Sequence, residues 1–408
     1  MLSFNALLSL CTLAVAAVAS PIQSQSRSAK TSLSIVRRFD LPFGQTIADI
    51  DRARAQALVQ AVTSGKDKRD GRVVATNTNV SYTASIGVGN PPTQYNLLID
   101  TGSSNTWVGA GRRYVETSTS RKTSQGVSVS YGSGSFSGNE YDDQVTIGNL
   151  IIANQSIGVA TRSRGLYNVD GILGLGPIGL TKGTLSPNSQ RTIPTVVDNL
   201  FSQGSISSAE LGIFFGPSGL LGGHGELSFG APDAVLTNGD VSYVPLTKTF
   251  PASEYWGIDQ TITYGPSTSI LTGAGIVDTD TTLVLLATDA FQKYQKATGA
   301  VLDKSTGLLR ITNDQYESLQ NLNFSVGGKT YYLTRNAQIF PRNLNIRIGG
   351  SSMYVYLIVA DLGELSGTAK GLSFINGYTF LERYYSVYDT KNKRIGFAPT
   401  PYTDADIN

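Results

Sequence analysis

Two stretches of this 408-residue sequence, LLIDTGSSNTW (Leu97–Trp107) and GIVDTDTTLVLL (Gly275–Leu286), are variants of one pattern. Each is an apolar, strand-like run that ends in Asp-Thr and continues into hydroxyl residues. Their aspartates, Asp100 and Asp278, lie 178 positions apart (278 − 100). A pattern repeated at this spacing predicts two similar lobes, each bringing one strand-end aspartate to their junction. The second stretch differs in carrying Asp280 where the first has Gly102.

The rest of the chain is typical of a β protein. Apolar and β-branched runs separated by Gly, Asn and Pro fill the sequence from about Val73 onward. Helical periodicity is confined to short stretches at residues 48–62, 193–204 and 287–300. We therefore predict an all-β, bilobal fold with a few short helices and a cleft between two similar lobes, over residues 70–250 and 251–408.

The first 20 residues are expected to be a secretory signal peptide. An apolar run ends in small residues, with Ala17 and Ala19 in an A-x-A pattern. A signal anchor is the alternative. The only cysteine, Cys11, lies inside this run, so the mature chain is expected to have no disulfide. Three N-x-S sequons, at Asn79, Asn154 and Asn323, agree with export and predict N-glycosylation.

Residues 21–69 differ in charge from the rest of the chain. They contain nine Lys and Arg against four Asp, which leaves 23 basic against 26 acidic residues from Asp70 onward. This segment also holds the helical stretch and ends in the dibasic pair Lys68-Arg69. We interpret it as a basic propeptide with a processing site; a disordered basic tail is the alternative.

Several chemistries are excluded or disfavoured by composition. The single histidine, His224, is not accompanied by a G-x-S-x-G elbow, and one His with no mature Cys cannot form a histidine metal cluster. GLGPIG (174–179) matches a dinucleotide fingerprint, but Pro177 and a turn-rich stretch follow it where a helix is required. The acidic balance after residue 69 gives nucleic-acid binding no support. No cofactor and no metal are expected.

The paired aspartates are the remaining candidate site. Two adjacent carboxylates share one proton, so that one can act as a general base toward a water while the other protonates the substrate. Such a pair hydrolyses an amide without Ser, Cys or a metal. A secreted β-rich glycosidase also uses paired carboxylates, although it would not explain the Thr and Ser context.

These stretches, together with YGSGSFSGNEYDDQVTIG (131–148), DGILGLGP (170–177) and FLERYYSVYDTKNKRIGFA (380–398), resemble the pepsin-like aspartic protease family, polyporopepsin type. The resemblance runs from about Val73 to Thr400. It implies that Asp100 and Asp278 are catalytic, that Ser103 and Thr281 bond their outer oxygens, and that Thr101 and Thr279 tie the two loops together. It also implies a flap formed by Tyr131, Gly132 and Ser133, with the Tyr131 hydroxyl partnered by the indole of Trp107.

The resemblance implies a function for the basic segment as well. In this family a basic pro-segment covers the cleft until acid releases it, and RRFDL (37–41) and KDKRD (66–70) supply candidate cations. We expect a monomeric, secreted or vacuolar aspartic endopeptidase that cleaves polypeptides in acid and is inhibited by its own propeptide. We expect no nucleic-acid partner and no membrane association after removal of the signal peptide.

Two residues depart from the family pattern. Asn376 precedes Gly377 where an apolar residue is usual, and Asp280 replaces a glycine. An added charge at about 6 Å and a dielectric of about 20 costs about 2.8 kcal/mol, which would raise the pKa values of the pair. The alternative function is therefore a pepsin-like binding protein whose catalysis Asp280 impairs.

Overall fold

The protein's structure, a computed structural model, describes residues 31–39, 41, 44–63, 80–131, 134–217, 219, 224–365 and 367–408. The predicted signal peptide, the Lys68-Arg69 pair, Asn79, Gly132 and Ser133 lie outside these residues. Within the described part, no helix is both long enough and apolar enough to cross a bilayer.

Strands dominate the described residues, which confirms the predicted all-β class. The strands are β1 Thr31–Phe39, β2 Val80–Val88, β3 Thr93–Asp100, β4 Trp107–Val108, β5 Arg121–Ser130, β6 Ser135–Ile147, β7 Leu150–Arg164, β8 Gly171–Gly174, β9 Leu185–Ser186, β10 Glu210–Phe214, β11 His224–Phe229, β12 Ser242–Pro245, β13 Gly257–Tyr264, β14 Thr268–Val277, β15 Val284–Leu286, β16 Val301–Leu302, β17 Leu309–Ile311, β18 Leu322–Val326, β19 Lys329–Leu333, β20 Val355–Tyr356, β21 Val359–Asp361, β22 Phe374–Asn376, β23 Tyr384–Asp389 and β24 Arg394–Pro399. The helices are α1 Ile47–Thr63, α2 Val196–Ser202, α3 Thr288–Thr298, α4 Asn313–Glu317 and α5 Tyr378–Leu381, with 3-10 turns at Ile178–Thr181, Ala252–Glu254, Arg342–Ile348 and Gly367–Gly371.

The three predicted helices are present as α1, α2 and α3. Local sequence explains their ends. Thr195 caps α2 by accepting a hydrogen bond from the Asp198 amide, and the Asp198 carboxylate bonds back to Thr195. Gly299 ends α3 in the left-handed conformation, with φ of 65°, which glycine adopts without a Cβ clash.

Two sheets contain most of the strands. A 14-stranded sheet has the order β12-β24-β23-β10-β11-β1-β2-β3-β8-β4-β7-β6-β5-β9, and a 7-stranded sheet has the order β19-β18-β13-β14-β22-β15-β21. Asp100 ends β3 in the first sheet, and Asp278 directly follows β14 in the second. The last two strands, β23 and β24, return to the larger sheet, where β23 pairs with β10 and β24 with β12.

The described N-terminal residues 31–63, hereafter the N-terminal segment, are part of this architecture. Strand β1 pairs on one side with β11 and on the other with β2. Helix α1 buries one face, formed by Ile47, Ala48, Ile50, Asp51, Arg54, Ala55, Leu58 and Val59. The hydroxyl of Tyr255 donates a 2.6 Å hydrogen bond to the carbonyl of Leu58. The segment is therefore packed against the body of the protein through both of its elements.

Candidate active site

The first aspartate lies at the end of a strand that is supported by a glycine strand. β3 runs parallel to β8 with Asp100 opposite Gly174, and β4 pairs antiparallel to the other edge of β8. A Cβ atom at Gly174 would lie 2.5 Å from the carbonyl carbon of Ser104, so this close approach requires glycine. The loop after Asp100 is thus held against β8.

The second aspartate has the same support. β14 runs parallel to β22, and β15 pairs antiparallel to the other edge of β22. A Cβ atom at Gly377 would lie 2.3 Å from the Leu283 carbonyl oxygen and 2.5 Å from that of Thr281. The arrangement β14-β22-β15 therefore repeats β3-β8-β4, as the repeated sequence pattern predicts.

The two loops are joined by a reciprocal pair of buried hydrogen bonds. The Thr101 amide donates to Oγ1 of Thr279, and the Thr279 amide donates to Oγ1 of Thr101, each at 3.0 Å. The Thr279 hydroxyl also donates to the Ile99 carbonyl at 3.2 Å. Both backbones are thus fixed directly beside the aspartates, the position that the resemblance implied for these threonines.

Each aspartate is oriented by a hydroxyl three residues further along the chain. The Ser103 hydroxyl donates to Oδ2 of Asp100 and the Thr281 hydroxyl to Oδ2 of Asp278, both at 2.5 Å. The Gly102 amide donates to the other Asp100 oxygen, Oδ1, at 2.8 Å. The Oδ1 atoms of both aspartates therefore face the space between the loops, and both carboxylates are buried.

A guanidinium group from the N-terminal segment fills that space. Arg54, on α1, donates through Nε to Asp278 Oδ2 at 2.6 Å and through Nη2 to Asp278 Oδ1 at 2.8 Å. The same Nη2 donates to Asp100 Oδ1 at 2.6 Å. One nitrogen therefore lies within hydrogen-bond distance of both carboxylates, which shows how close the aspartate pair is.

Asp280 is the third acidic partner of this arginine. Its Oδ2 lies 2.9 Å from Nη1 of Arg54, and the Asp280 residue is only 2% exposed. Among the described residues its Oδ1 has no hydrogen-bond partner. The side chain that distinguishes the second loop from the first is thus directed at the group that occupies the cleft.

The pKa values of Asp278 and Asp280 are shifted in opposite directions. Burial would raise the pKa of Asp278, but the charge of Arg54 and hydrogen bonds from Arg54 and Thr281 outweigh it and lower this pKa. Burial raises the pKa of Asp280 well above its usual range, and repulsion from Asp100 and Asp278 adds to the effect despite the attraction of Arg54. The attraction of one cation therefore does not offset the effects of burial and of the two neighbouring carboxylates at Asp280.

A fourth carboxylate, Asp51, lies one turn before Arg54 on α1. It accepts hydrogen bonds from the backbone amides of Thr282 at 3.1 Å and Leu283 at 2.7 Å. Burial raises the pKa of Asp51 to about 7, although these two amides partly oppose the shift. Asp51 and Arg54 thus attach the same helix to the second loop at two points.

Arg54 and Asp51 were not among the site residues predicted from the sequence. RRFDL and KDKRD were named as candidate cations, but the cation that contacts the aspartates is Arg54. KDKRD lies outside the described residues. Arg37 and Arg38 instead lie on β1, opposite Tyr82 and Ser81 of β2. One pattern could have found both residues: Asp51 and Arg54 fall at the i, i+3, i+4 positions that place side chains on the apolar face of α1.

Of the predicted flap residues, Tyr131 packs against Trp107 near Asp100, while Gly132 and Ser133 lie outside the described residues. The rings of Tyr131 and Trp107 are stacked, with centroids 6.4 Å apart and an interplanar angle of 18°. The Tyr131 hydroxyl interacts with the side chains of Trp107 and Ser103, and both interactions oppose the rise in its pKa that burial causes, although neither meets the full geometry of a hydrogen bond.

Asn376, the second departure from the family pattern, has a buried polar partner. Its Nδ2 donates to Gln260 Oε1 at 3.0 Å, and Gln260 Nε2 donates back to Asn376 Oδ1 at 3.3 Å. The Asn376 carbonyl also accepts from the Asp278 amide at 3.2 Å. The amide side chain is therefore satisfied within a pair that no sequence pattern had connected.

The other two candidates from the sequence, His224 and GLGPIG, lie at the start of a strand and at a 3-10 turn. His224 is exposed at the start of β11. The glycines of GLGPIG are followed by a four-residue 3-10 turn in place of the long helix that a dinucleotide site needs. Across the described residues, no group of three or more His, Cys, Asp or Glu is arranged to hold a metal ion.

Two matching loops bring Asp100 and Asp278 together, which is the arrangement that the resemblance to aspartic proteases implied, and comparisons with known proteins show that family. The eukaryotic aspartyl protease family pattern matches residues 81–400, and the chain belongs to this family. It is an aspartic-type endopeptidase, a hydrolase that acts on polypeptide substrates.

Individual members of the family are similar to this chain over most of its length. Polyporopepsin of Irpex lacteus is 61% identical over 340 residues, covering 83% of this chain and 99% of that protein. Vacuolar protease A of Aspergillus fumigatus is 30% identical over 338 residues, covering 78% and 79%. The crystal structure of the aspartic proteinase from Irpex lacteus matches with a TM-score of 0.78 and 53% identity, covering 93% of this chain and 100% of that one.

Proposed function

We propose that the chain is the precursor of a secreted aspartic endopeptidase that works in acid, with Asp100 and Asp278 as its catalytic residues. The observation that supports this most directly is the shared nitrogen: Nη2 of Arg54 contacts Oδ1 of both aspartates, at 2.6 and 2.8 Å. A water molecule in that position would contact the same two oxygens. The pair would then have the geometry to activate it.

The chemistry follows from one shared proton. The ionised aspartate accepts a proton from the water as its oxygen attacks the scissile carbonyl carbon, and the protonated aspartate donates its proton to the carbonyl oxygen. The resulting gem-diol collapses when the aspartate that took the water proton gives it to the amide nitrogen, a diol hydroxyl returns its proton to the other aspartate, and the C–N bond breaks. The products are a carboxylic acid and an amine. Ser103 and Thr281 hold the outer oxygens throughout, so the inner oxygens face the substrate.

The N-terminal segment acts in this proposal as a propeptide. Residues 21–69 carry an excess of five positive charges, and Arg54 places one of them on the aspartate pair, where substrate would bind. Removal of the segment, with the signal peptide over 1–20 removed earlier, would leave a mature enzyme of two lobes, 70–250 and 251–408. We propose that this enzyme is monomeric and secreted or vacuolar, and that Tyr131, Gly132, Ser133 and Trp107 contact its substrate.

We also propose glycosylation, with Asn154 as the best-placed acceptor in the described part. Its side chain is exposed on β7, and its Oδ1 accepts from Arg121 at 2.7 Å. Asn323 is half-buried, and its Nδ2, the atom that a glycan would modify, donates to the Gly265 carbonyl at 3.0 Å. Asn79 is the third proposed site.

The proposed function is tested by assaying the acid-processed protein on denatured casein or haemoglobin between about pH 2.5 and 6. We expect cleavage that pepstatin abolishes. The rival, a binding protein impaired by Asp280, predicts no pepstatin-sensitive cleavage until Asp280→Gly is introduced. Cleavage insensitive to pepstatin would refute both.

A further inference from the structure

Asp280 completes a ring of three carboxylates around one planar group. Arg54 uses Nε and Nη2 on Asp278, Nη2 on Asp100, and Nη1 on Asp280, with distances from 2.6 to 2.9 Å. All three nitrogens of the guanidinium are therefore engaged, and the contact with Asp278 is bidentate. A lysine ammonium could not reproduce this fork, because it is a compact point charge without a planar set of donors.

The Asp280 side chain has no resident partner besides this guanidinium within the described residues. It is 2% exposed, its Oδ2 contacts Arg54, and its Oδ1 is buried without a hydrogen bond. Asp100 and Asp278 differ in this respect, since Ser103 and Thr281 supply each of them with a hydroxyl donor. When Arg54 leaves, Asp280 loses its only described cation and remains directed at the same space.

We infer that Asp100, Asp278 and Asp280 of the processed enzyme form a binding site for a guanidinium group, selective for arginine-type over lysine-type ligands. The inference rests on the proposed function, because it requires that the N-terminal segment be removed. Gly102 shows why the site is one-sided: a Cβ atom there would lie 2.5 Å from Arg54 Nη2, so the first loop leaves room for the cation while the second supplies a charge. A free guanidinium ligand would compete with substrate, since it would occupy the position between the catalytic aspartates.

The affinity of the site depends on pH through the ionisation of Asp280. Burial and the neighbouring carboxylates raise the pKa of Asp280, and a bound cation opposes that rise. Guanidinium binding therefore weakens as Asp280 is protonated and strengthens as the pH rises. The charged groups that act on Asp280 are Asp51 and Arg54 of α1 and Asp100 and Asp278 of the two loops. Three tyrosines, Tyr131, Tyr255 and Tyr388, interact with Asp100 or Asp278. Asp51 and Arg54 depart with the N-terminal segment.

The experiment compares agmatine, which carries a guanidinium, with cadaverine, which carries an ammonium on a similar chain. Binding to the acid-processed enzyme is measured by calorimetry at about pH 4, 5 and 6, and inhibition of peptide cleavage is measured in parallel. We expect agmatine to bind at least about 10-fold more tightly than cadaverine, with a difference that grows with pH. We expect Asp280→Asn to weaken agmatine binding at least about 10-fold while pepstatin still binds.

A matched control is Asp289→Asn, which removes an exposed carboxylate paired with Lys293 on α3 and should leave agmatine binding unchanged. Equal binding of the two amines, or unchanged agmatine binding in Asp280→Asn, would overturn the inference. If Asp280→Asn does not fold, the comparison of the two amines on the unmodified enzyme still decides the question.

The two proposals fail separately. Selective agmatine binding without any peptide cleavage would refute the proposed function and support the guanidinium site. Pepstatin-sensitive cleavage without agmatine selectivity would do the reverse. Substrate pairs that differ only in Arg or Lys at one position, scanned along a peptide, distinguish a site open to substrate side chains from one that accepts only small ligands.

Discussion

The two aspartate loops have the same supports but contain different residues at one position. Both follow a strand that is parallel to a glycine strand, both receive a 2.5 Å hydroxyl bond at the outer carboxylate oxygen, and they exchange equivalent threonine bonds. Gly102 offers only its amide, whereas Asp280 adds a carboxylate that contacts Arg54. The strand framework thus positions the aspartate pair in the same way on both sides, while the residue two positions after each aspartate differs in whether it adds a carboxylate to the contacts of Arg54.

The largest expected effect comes from removing the charge of either aspartate. Asp100→Asn and Asp278→Asn should each lower kcat of the processed enzyme by about 10²–10⁴-fold, because the proposed mechanism gives each of them a part in proton transfer. Equal losses would show that the two loops are equivalent in catalysis. The measurement is peptide hydrolysis with Asp289→Asn as the control, and more than a tenth of the original rate in either variant would contradict the assignment.

Next in size is the loss of the shared cation. Arg54→Ala leaves three buried aspartates without their partner, and breaking a buried ion pair typically costs about 3–5 kcal/mol. If the N-terminal segment inhibits as proposed, the unprocessed variant should cleave peptides at mildly acidic pH, where the unmodified chain should not. Arg52→Ala is the matched control, since Arg52 lies on the same helix but bonds to the Asp361 carbonyl and to Asp49. If the unprocessed Arg54→Ala variant remains inactive, the contact between Arg54 and the aspartates is not what inhibits the precursor.

The pH dependence of retention should have two limits, because the aspartates shift in opposite directions. The lowered pKa of Asp278 makes its contribution complete above its ordinary value and lost as the pH falls below about 4. The pKa of Asp51, raised to about 7, makes its contribution complete at low pH and lost as the pH rises through that value. The N-terminal segment should thus be held most firmly near pH 4, where Asp278 is ionised and Asp51 is still protonated, and progressively less as the pH rises to about 7.

Protection of α1 from limited proteolysis, followed from about pH 3 to 8, checks this window. Asp51→Asn removes the titrating group that sets the upper limit, so it should extend retention above pH 7 without moving the acid limit. A single transition, or an unchanged upper limit in Asp51→Asn, would contradict the assignment.

The smallest expected effect concerns the strands beneath the loops. Leu173 on β8 and Asn376 on β22 occupy equivalent positions before their glycines. Asn376→Leu leaves the buried Gln260 amide unpaired and should lower the free energy of unfolding by about 1–3 kcal/mol. Adding Gln260→Leu should recover most of that loss, because replacing both partners removes the unsatisfied group. Thermal unfolding of the three variants measures the difference, and additive losses would argue against the pairing.

Features that depend on a local sequence pattern could be predicted from the sequence. The repeated Asp-Thr stretches predicted the two equivalent loops, and apolar periodicity located α1, α2 and α3. Asp280 could also be identified as the residue that distinguishes the second loop. The partner of Asp280 could not be found, because the contact with Arg54 joins residues 226 positions apart (280 − 54) and depends on how α1 packs. The Gln260–Asn376 pair escaped for the same reason, since its residues are 116 positions apart in the chain.

The position of strand β1 has a consequence for the stability of the proposed mature enzyme. This strand lies within the larger sheet, hydrogen-bonded to β2 on one side and β11 on the other. Removal of the segment that contains it would leave β2 and β11 without the strand that pairs with both of them. A mature enzyme that unfolds would then have to refold without this strand. Its working lifetime would be set by how slowly it unfolds, not by the balance between folded and unfolded forms.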